Sequence, residues 1–211
     1  MKKLLFPLLF ISLISFGQEE EITLETKTGN IKGSLLTPSG SEKTPVVLII
    51  AGSGPTDRNG NNPMMTNNSL KMLAIGLKKS GIASLRFDKR GVGESKNSGL
   101  QESDLRFEHY VKDVEQWIKL LKENVRFSDV IVLGHSEGSL IGMIASQKNE
   151  VKKFISVAGV GISAGDILRQ QLKVQPQFVL NQSLPIIEKL ENGEIEENVP
   201  QMLYSLFRPS V

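Results

Sequence analysis

The sequence predicts an α/β fold in which a mostly parallel sheet carries helices on both faces. Short apolar runs rich in β-branched residues, typical of strands buried on both faces, recur at 45–52, 82–87, 129–133 and 152–159. Segments with helical periodicity lie between these runs. Strands and helices that alternate in this way indicate right-handed crossovers between parallel strands.

The length and composition fit one globular domain of ordinary size. The chain has 211 residues, of which 39% are hydrophobic and 23% charged. A net charge of +2 without a basic stripe argues against nucleic acid as a partner. The chain has no cysteine, which excludes disulfides, thiol nucleophiles and cysteine metal sites. Two isolated histidines do not make a ligand cluster, so we expect neither a metal nor a cofactor.

The first 17 residues have the layout of a signal peptide. Lysines at positions 2 and 3 precede an apolar run over 4–16, and Gly17 follows it. The run is too short to span a bilayer. We therefore predict an exported protein, periplasmic or extracellular, with no stable membrane span after the signal peptide is cleaved. A retained N-terminal membrane anchor is the alternative.

The chain after the signal peptide begins with strand signals. Alternating residues over 21–38 break at Thr28, Gly29 and Asn30, which predicts an antiparallel hairpin. The buried strand 45–52 comes next. A polar loop rich in Gly, Pro and Asn then leads to a helix expected over 68–79 and to the next buried strand.

The second half of the predicted sheet contains a longer helix. Its apolar residues keep the i, i+3, i+4, i+7 spacing of a helix that buries one face; they are Phe107, Tyr110, Val111, Val114, Trp117, Ile118 and Leu121. From Asp166 onward the pattern is helical, interrupted by prolines and without a strand signal. We therefore assign 18–165 to the α/β core and 166–211 to a helical region.

The stretch 134–138, Gly-His-Ser-Glu-Gly, has the pattern G-x-S-x-G. In this pattern the serine, here Ser136, lies on a strained strand-to-helix turn that lifts its hydroxyl clear of the sheet. Side chains in place of Gly134 and Gly138 would collide across so tight a turn. The N–H of Glu137, at the start of the following helix, can donate to a developing oxyanion.

A second match to the same pattern lies at 161–165, centred on Ser163. It follows its strand less directly, and its helix is expected to begin at the cap Asp166. Ser136 comes off an uninterrupted strand, and small residues line its helix. Ser136 is therefore the predicted nucleophile.

Two further loops follow strand ends. The loop within 49–60, Ile-Ile-Ala-Gly-Ser-Gly-Pro-Thr-Asp-Arg-Asn-Gly, can present a backbone N–H to the serine's cleft, or it has no role. The loop within 86–95, Arg-Phe-Asp-Lys-Arg-Gly-Val-Gly-Glu-Ser, lacks both phosphate-binding glycine patterns. We interpret Asp88 and Arg90 as a structural ion pair that holds this second loop.

Together, in this order and spacing, the three motifs resemble the α/β-hydrolase superfamily. They are most similar to bacterial serine esterases grouped with serine aminopeptidases and lysophospholipases, over residues from about 22 to the end of the chain. The resemblance implies a Ser–His–Asp triad with Ser136 as its nucleophile. It also implies backbone oxyanion donors at Glu137 and at Ser53, with Gly54 as the near alternative, and it makes 166–211 the start of a helical cap.

The acid and the base of that triad do not have evident counterparts. In the family they follow the serine in the order Asp, then His, on loops after later strands. His135 adjoins Ser136 and could hardly reach its hydroxyl at the roughly 2.6–3.2 Å that a general base requires. His109 is offset from the apolar stripe of its helix. We therefore expect the last core strands to be absent from this chain, and the triad Asp and His to lie beyond residue 211.

The expected activity is cleavage of small-molecule carboxylic esters through an acyl-enzyme on Ser136. These 211 residues alone would be inactive, because a triad acts as a unit. A peptidase or an acyltransferase on the same scaffold is the alternative within enzymes. Outside enzymes, the alternative is an inactive hydrolase-like protein that binds a ligand or partner.

Overall fold

The computed structural model describes residues 19–40 and 42–209, which form a six-stranded sheet, helices on both of its faces and a helical segment after it. The predicted signal peptide lies outside the described residues. The strands are β1 (Glu19–Thr26), β2 (Gly29–Leu36), β3 (Thr44–Ile50), β4 (Ala83–Phe87), β5 (Phe127–His135) and β6 (Lys153–Val157). The helices are α1 (Ser69–Lys79), α2 (Phe107–Glu123), α3 (Glu137–Lys148), α4 (Ala164–Leu172), α5 (Gln177–Glu191) and α6 (Tyr204–Phe207).

The sheet has the strand order β1-β2-β4-β3-β5-β6. β1 and β2 form the predicted antiparallel hairpin, and β2 also pairs antiparallel with β4. The pairs β3–β4, β3–β5 and β5–β6 are parallel. A mostly parallel sheet with an N-terminal antiparallel hairpin is therefore confirmed.

Helices cover both faces of this sheet, as the periodicity predicts. The stripe of α2 is buried on one face, where Trp117, Ile118 and Leu121 pack with residues of α3 against the central strands. α1 covers the opposite face through Leu70 and Ala74. Because each helix buries only one side, the sheet between them is apolar on both faces.

The helices from α4 onward pack on one another in a hydrophobic cluster separate from the sheet's. Its buried members are Leu172, Ile186, Ile187, Leu203 and Phe207. A cluster of its own fits the predicted helical region, although the boundary at residue 166 and the role as a cap stay predictions.

The predicted start of α4 at Asp166 is wrong. The helix begins at Ala164, and Ser163 is its N-cap. The hydroxyl oxygen of Ser163 accepts a hydrogen bond from the Asp166 N–H at 3.1 Å. A serine three residues before a free N–H of the first turn satisfies that donor, which places the cap at Ser163.

β6 lies at one edge of the sheet, where Ile155 and Val157 are 40% and 41% exposed. An apolar edge strand is a template for further pairing. That further core strands pair with it in the natural protein stays a prediction. Within the described ranges, no helix combines the length and the apolar character needed to cross a membrane.

Candidate active site

The candidate site lies at the carboxyl edge of the parallel strands. In the β3–β5 pair, Ile50 lies opposite Gly134. The loop after β3 and the turn after β5 therefore start side by side, with Gly52 and Ser136 each two residues past the paired positions. β4, on the other side of β3, ends at Phe87 and carries its own loop to the same edge.

Ser136 is held in a strained backbone conformation at this edge. Its φ is 53° and its ψ is −122°, a combination that costs a non-glycine residue about 1–3 kcal/mol. The Ser136 N–H donates to the carbonyl oxygen of Val157 at 3.0 Å, and the Ser139 N–H donates to the carbonyl oxygen of Ser136 at 2.9 Å. Hydrogen bonds on both sides thus fix the turn.

The hydroxyl of Ser136 has no hydrogen-bond partner among residues 19–40 and 42–209. Ser136 is the N-cap residue of α3, but its side chain makes no capping hydrogen bond. In the described part of the chain, no other residue bonds this hydroxyl. Ser163 differs, because its hydroxyl caps α4 and also bonds the Asp166 carboxylate at 2.7 Å. Only Ser136 of the two matched serines has a hydroxyl free to react.

The glycines on either side of Ser136 allow α3 to approach the sheet closely. A Cβ on Gly134 would lie 2.5 Å from the carbonyl carbon of Gly138 and from the Cα of Ser139. A Cβ on Gly138 would lie 2.6 Å from the carbonyl oxygen of Ile50. The glycine spacing is thus a steric requirement of this turn, as the motif predicts.

Two sources of backbone donors flank Ser136. Glu137 is the first residue of α3, so its N–H has no partner within the helix. Gly52 lies beside the serine, since a Cβ on Gly52 would be 3.2 Å from the Cβ of Ser136. Ser53 and Gly54 follow on the exposed part of this loop, and Gly54 has a φ of 71°.

The structure thus brings together Ser136, Glu137 and the loop that carries Ser53 and Gly54. Their assignment as nucleophile and oxyanion donors stays a prediction.

The sequence motifs did not single out Lys89, which lies between these donor segments. Its side chain is only 4% exposed. The Nζ donates to the carbonyl oxygen of Gly52 at 2.5 Å, lies 3.3 Å from the Glu137 carboxylate and sits 5.6 Å from the centre of the Tyr110 ring. Burial lowers the pKa of Lys89, while the Glu137 carboxylate acts in the opposite direction. The available sequence signal is its position just past β4, at the same edge as the serine.

The predicted ion pair between Asp88 and Arg90 is wrong, although both residues hold loops. Asp88 accepts hydrogen bonds from the Arg58 guanidinium at 2.8 and 3.0 Å and from the Arg58 N–H at 2.7 Å. Arg90 turns the other way and binds both oxygens of Asp113 on α2 at 2.7 Å. Arg90 and Asp113 thus form a bidentate pair, and Arg58 supplies Asp88 with both backbone and guanidinium donors.

Neither of the two histidines forms a hydrogen bond with the Ser136 hydroxyl. His109 Nδ1 accepts from the Arg106 N–H at 3.0 Å at the start of α2. His135 is exposed and makes no hydrogen bond to Ser136. Over 19–40 and 42–209, no three acidic or histidine side chains converge as metal ligands would.

A family model described as serine aminopeptidase, S33, matches residues 66–191. The chain is also similar to esterase EstD of Thermotoga maritima, with 29% identity over 183 residues. That alignment covers 84% of this chain and 42% of the esterase. The chain thus spans less than half the length of this relative.

Solved structures of α/β hydrolases have the same fold. The α/β hydrolase GrgF from Penicillium sp. sh18 superposes with a TM-score of 0.59 at 18% identity, covering 87% of this chain and 61% of its own. An α/β serine hydrolase without lid from Xanthomonas campestris gives 0.52 at 22% identity, covering 67% and 62%. At these identities the similarity shows the fold alone. It confirms the α/β-hydrolase fold, of which this chain contains a part.

Proposed function

The chain belongs to the serine aminopeptidase S33 family of α/β hydrolases, and from this we propose that it carries the nucleophile and the oxyanion hole of a carboxylesterase. The substrate would be a small-molecule ester. The observation that carries the proposal is the Ser136 turn, where a strained, hydrogen-bonded backbone presents a hydroxyl that caps nothing. The similarity of the chain to esterase EstD favours ester substrates.

In the proposed reaction, the Ser136 Oγ attacks the ester carbonyl carbon while its proton passes to a histidine. The N–H groups of Ser53 and Glu137 donate to the oxygen that becomes negative. The protonated histidine then gives its proton to the leaving alcohol, which leaves an acyl group on Ser136. Water, deprotonated by the same histidine, attacks the acyl carbon and releases the acid and the free serine.

Neither histidine of the chain suits that role. His109 is engaged at the start of α2, and His135 does not bond the serine hydroxyl. We therefore propose that the triad Asp and His lie beyond residue 211. These 211 residues alone would hydrolyse esters barely, because the triad acts as a unit.

The test is active-site labelling of the natural full-length protein with a fluorophosphonate. We expect one labelled serine, lost in Ser136→Ala and retained in Ser163→Ala. Ser163→Ala is the matched control because it removes the second serine of the same pattern, at a cost of about 1 kcal/mol for the lost cap. A folded full-length protein that does not label would overturn the proposal and favour the non-catalytic, ligand-binding alternative.

A peptidase is the second candidate, because the matching family is described as serine aminopeptidase. The same nucleophile and oxyanion donors serve esters and amides. Hydrolysis of p-nitrophenyl esters and of aminoacyl p-nitroanilides, compared by kcat/KM, separates the two. We expect the esters to be preferred, and a preference for the anilides would replace the esterase with the peptidase.

We further propose that the protein is exported and that residues 1–17 are removed. The support is the lysine-led apolar run of the sequence, which is too short to span a bilayer. Mass spectrometry of the mature N-terminus tests the proposal. We expect a terminus near residue 18, and an intact N-terminus on a membrane-bound protein would favour the retained anchor.

A further inference from the structure

The carbonyl group of Gly52 has a defined orientation, because a buried ammonium group binds it. The Lys89 Nζ lies 2.5 Å from the Gly52 carbonyl oxygen, and the lysine side chain is only 4% exposed. A charge-assisted hydrogen bond in so buried a place is among the stronger polar contacts of a protein. The Gly52 carbonyl is therefore anchored towards the loop that follows β4.

The orientation of this carbonyl determines the orientation of the next N–H. In a trans peptide the C=O of one residue and the N–H of the next point in opposite directions. Lys89 holds the Gly52 carbonyl on its own side, so the Ser53 N–H points to the opposite side of the same peptide plane. Gly52 itself lies against Ser136, with 3.2 Å between its ideal Cβ position and the serine Cβ.

We propose that Lys89 is a positioning residue, which orients the Gly52–Ser53 peptide so that the Ser53 N–H faces the oxyanion formed at Ser136. This inference rests on the proposed hydrolase function. It also selects Ser53 over Gly54 as the second donor, because only the Ser53 N–H belongs to the peptide that Lys89 binds.

The same ammonium group also contacts the side chain of the residue that carries the other donor. Glu137, whose N–H opens α3, has its carboxylate 3.3 Å from the Lys89 Nζ. One side chain from the β4 loop thus links the segment after β3 to the start of α3. The ammonium group also lies over the ring of Tyr110 on α2, with the Nζ 5.6 Å from the ring centre. Lys89 makes no hydrogen bond to the Ser136 hydroxyl, which assigns it to positioning and not to proton transfer.

An ammonium group at this buried place carries a cost in stability. Burial lowers the pKa of Lys89, so the charged form carries a cost that a methionine of similar length would avoid. The contacts that the ammonium group makes in return, with the Gly52 carbonyl oxygen and the Glu137 carboxylate, both lie at the predicted oxyanion hole.

The first experiment is a crystal structure of the natural full-length protein after reaction with a phosphonate. We expect the phosphonyl oxygen on Ser136 to lie within about 3 Å of the Ser53 nitrogen, with Lys89 still bonded to Gly52. A Gly52 carbonyl turned towards the phosphonyl oxygen, or a Gly54 N–H as the donor, would overturn the proposal for Lys89. Failure of the phosphonate to react at Ser136 would overturn the proposed function instead, and the role of Lys89 with it.

The second experiment is steady-state kinetics of Lys89→Met, normalised to the fraction of serine that a fluorophosphonate titrates. We expect kcat to fall by roughly 10- to 100-fold with KM changed less than about twofold, since loss of one oxyanion donor costs about 10²–10³ in kcat. Lys32→Met is the matched control; Lys32 is a partly buried, ion-paired lysine on β2, and kcat should stay unchanged. If Lys89→Met is active with the same kcat as wild type, the positioning role is refuted, while the proposed hydrolase function stands.

Discussion

Gly138 of α3 lies directly against the carbonyl oxygen of Ala51, the first residue after β3, with no room for a side chain between them. The carbonyl oxygen of Ile50 is only slightly farther, at 2.6 Å from an ideal Cβ on Gly138. This contact fixes the distance between the start of α3 and the loop after β3. The two predicted oxyanion donors, at Glu137 and Ser53, lie on these two segments.

Gly138→Ala should therefore destabilise the protein. The added methyl group would force α3 away from the sheet, and overpacking of this kind costs about 1–3 kcal/mol. Gly76→Ala is the matched control, since Gly76 is an exposed residue of α1 with nothing near its Cβ position. That change should raise the free energy of unfolding by about 0.5–1 kcal/mol, because alanine favours a helix. Urea unfolding of both variants measures the difference, and a destabilising effect of equal size in both would contradict the steric argument.

The strained backbone of Ser136 predicts a difference in stability between two variants at this position. Ser136→Ala keeps a Cβ and so keeps the strain of a φ of 53°. Ser136→Gly removes the Cβ, and it should be the more stable of the two by roughly 1 kcal/mol after the entropy cost of glycine. Thermal and urea unfolding of the two variants provide the comparison. Equal stabilities would show that the turn stores no strain.

The buried pair of Arg90 and Asp113 should dominate the stability of the loop after β4. Arg90→Met leaves the Asp113 carboxylate buried without a partner, and the free energy of unfolding should fall by about 3–5 kcal/mol. Adding Asp113→Leu should recover much of that loss, because no charge is then buried alone.

The control is Lys119→Met, which removes an exposed ion pair on α2. Lys119 lies 3.9 Å from Glu123, and its loss should change the free energy of unfolding by less than about 0.5 kcal/mol. Chemical unfolding of these variants supplies the values. A loss for Arg90→Met no larger than that for Lys119→Met would mean that the buried pair is not what holds the loop.

Most of the sheet could be predicted because its signals are local. Buried strands such as β3 are continuous apolar runs, and the stripe of α2 repeats with the helical period. The turn at Ser136 could be predicted for the same reason, because steric crowding requires glycine at fixed positions on either side.

The partners of the charged residues could not be predicted in this way. Asp88 and Arg90 are two positions apart, yet their partners, Arg58 and Asp113, come from different elements. Which element lies next to a loop depends on strand order, and strand order is not local information. The placement of Lys89 beside Gly52 likewise depends on β4 lying next to β3 in the sheet.

The burial of Lys89 predicts a pH dependence of stability at alkaline pH. Because desolvation lowers the pKa of Lys89 in the folded protein below its ordinary value of 10.5, the unfolded chain binds more protons between these two pKa values. The free energy of unfolding should therefore rise with pH across that window, relative to Lys89→Met, which has no proton to lose. Burial raises the pKa of the facing Tyr110 above its ordinary value of 10.0, so Tyr110 stays largely protonated over the lower part of the window.

The measurement is urea unfolding of wild type and Lys89→Met at intervals from neutral pH to about pH 10.5, taken as a difference so that the remaining titrations cancel. The difference should grow in favour of wild type as the pH rises. A difference that stays constant would mean that the ammonium group is solvated in the folded protein, which would also remove the buried hydrogen bond that orients the Gly52 carbonyl.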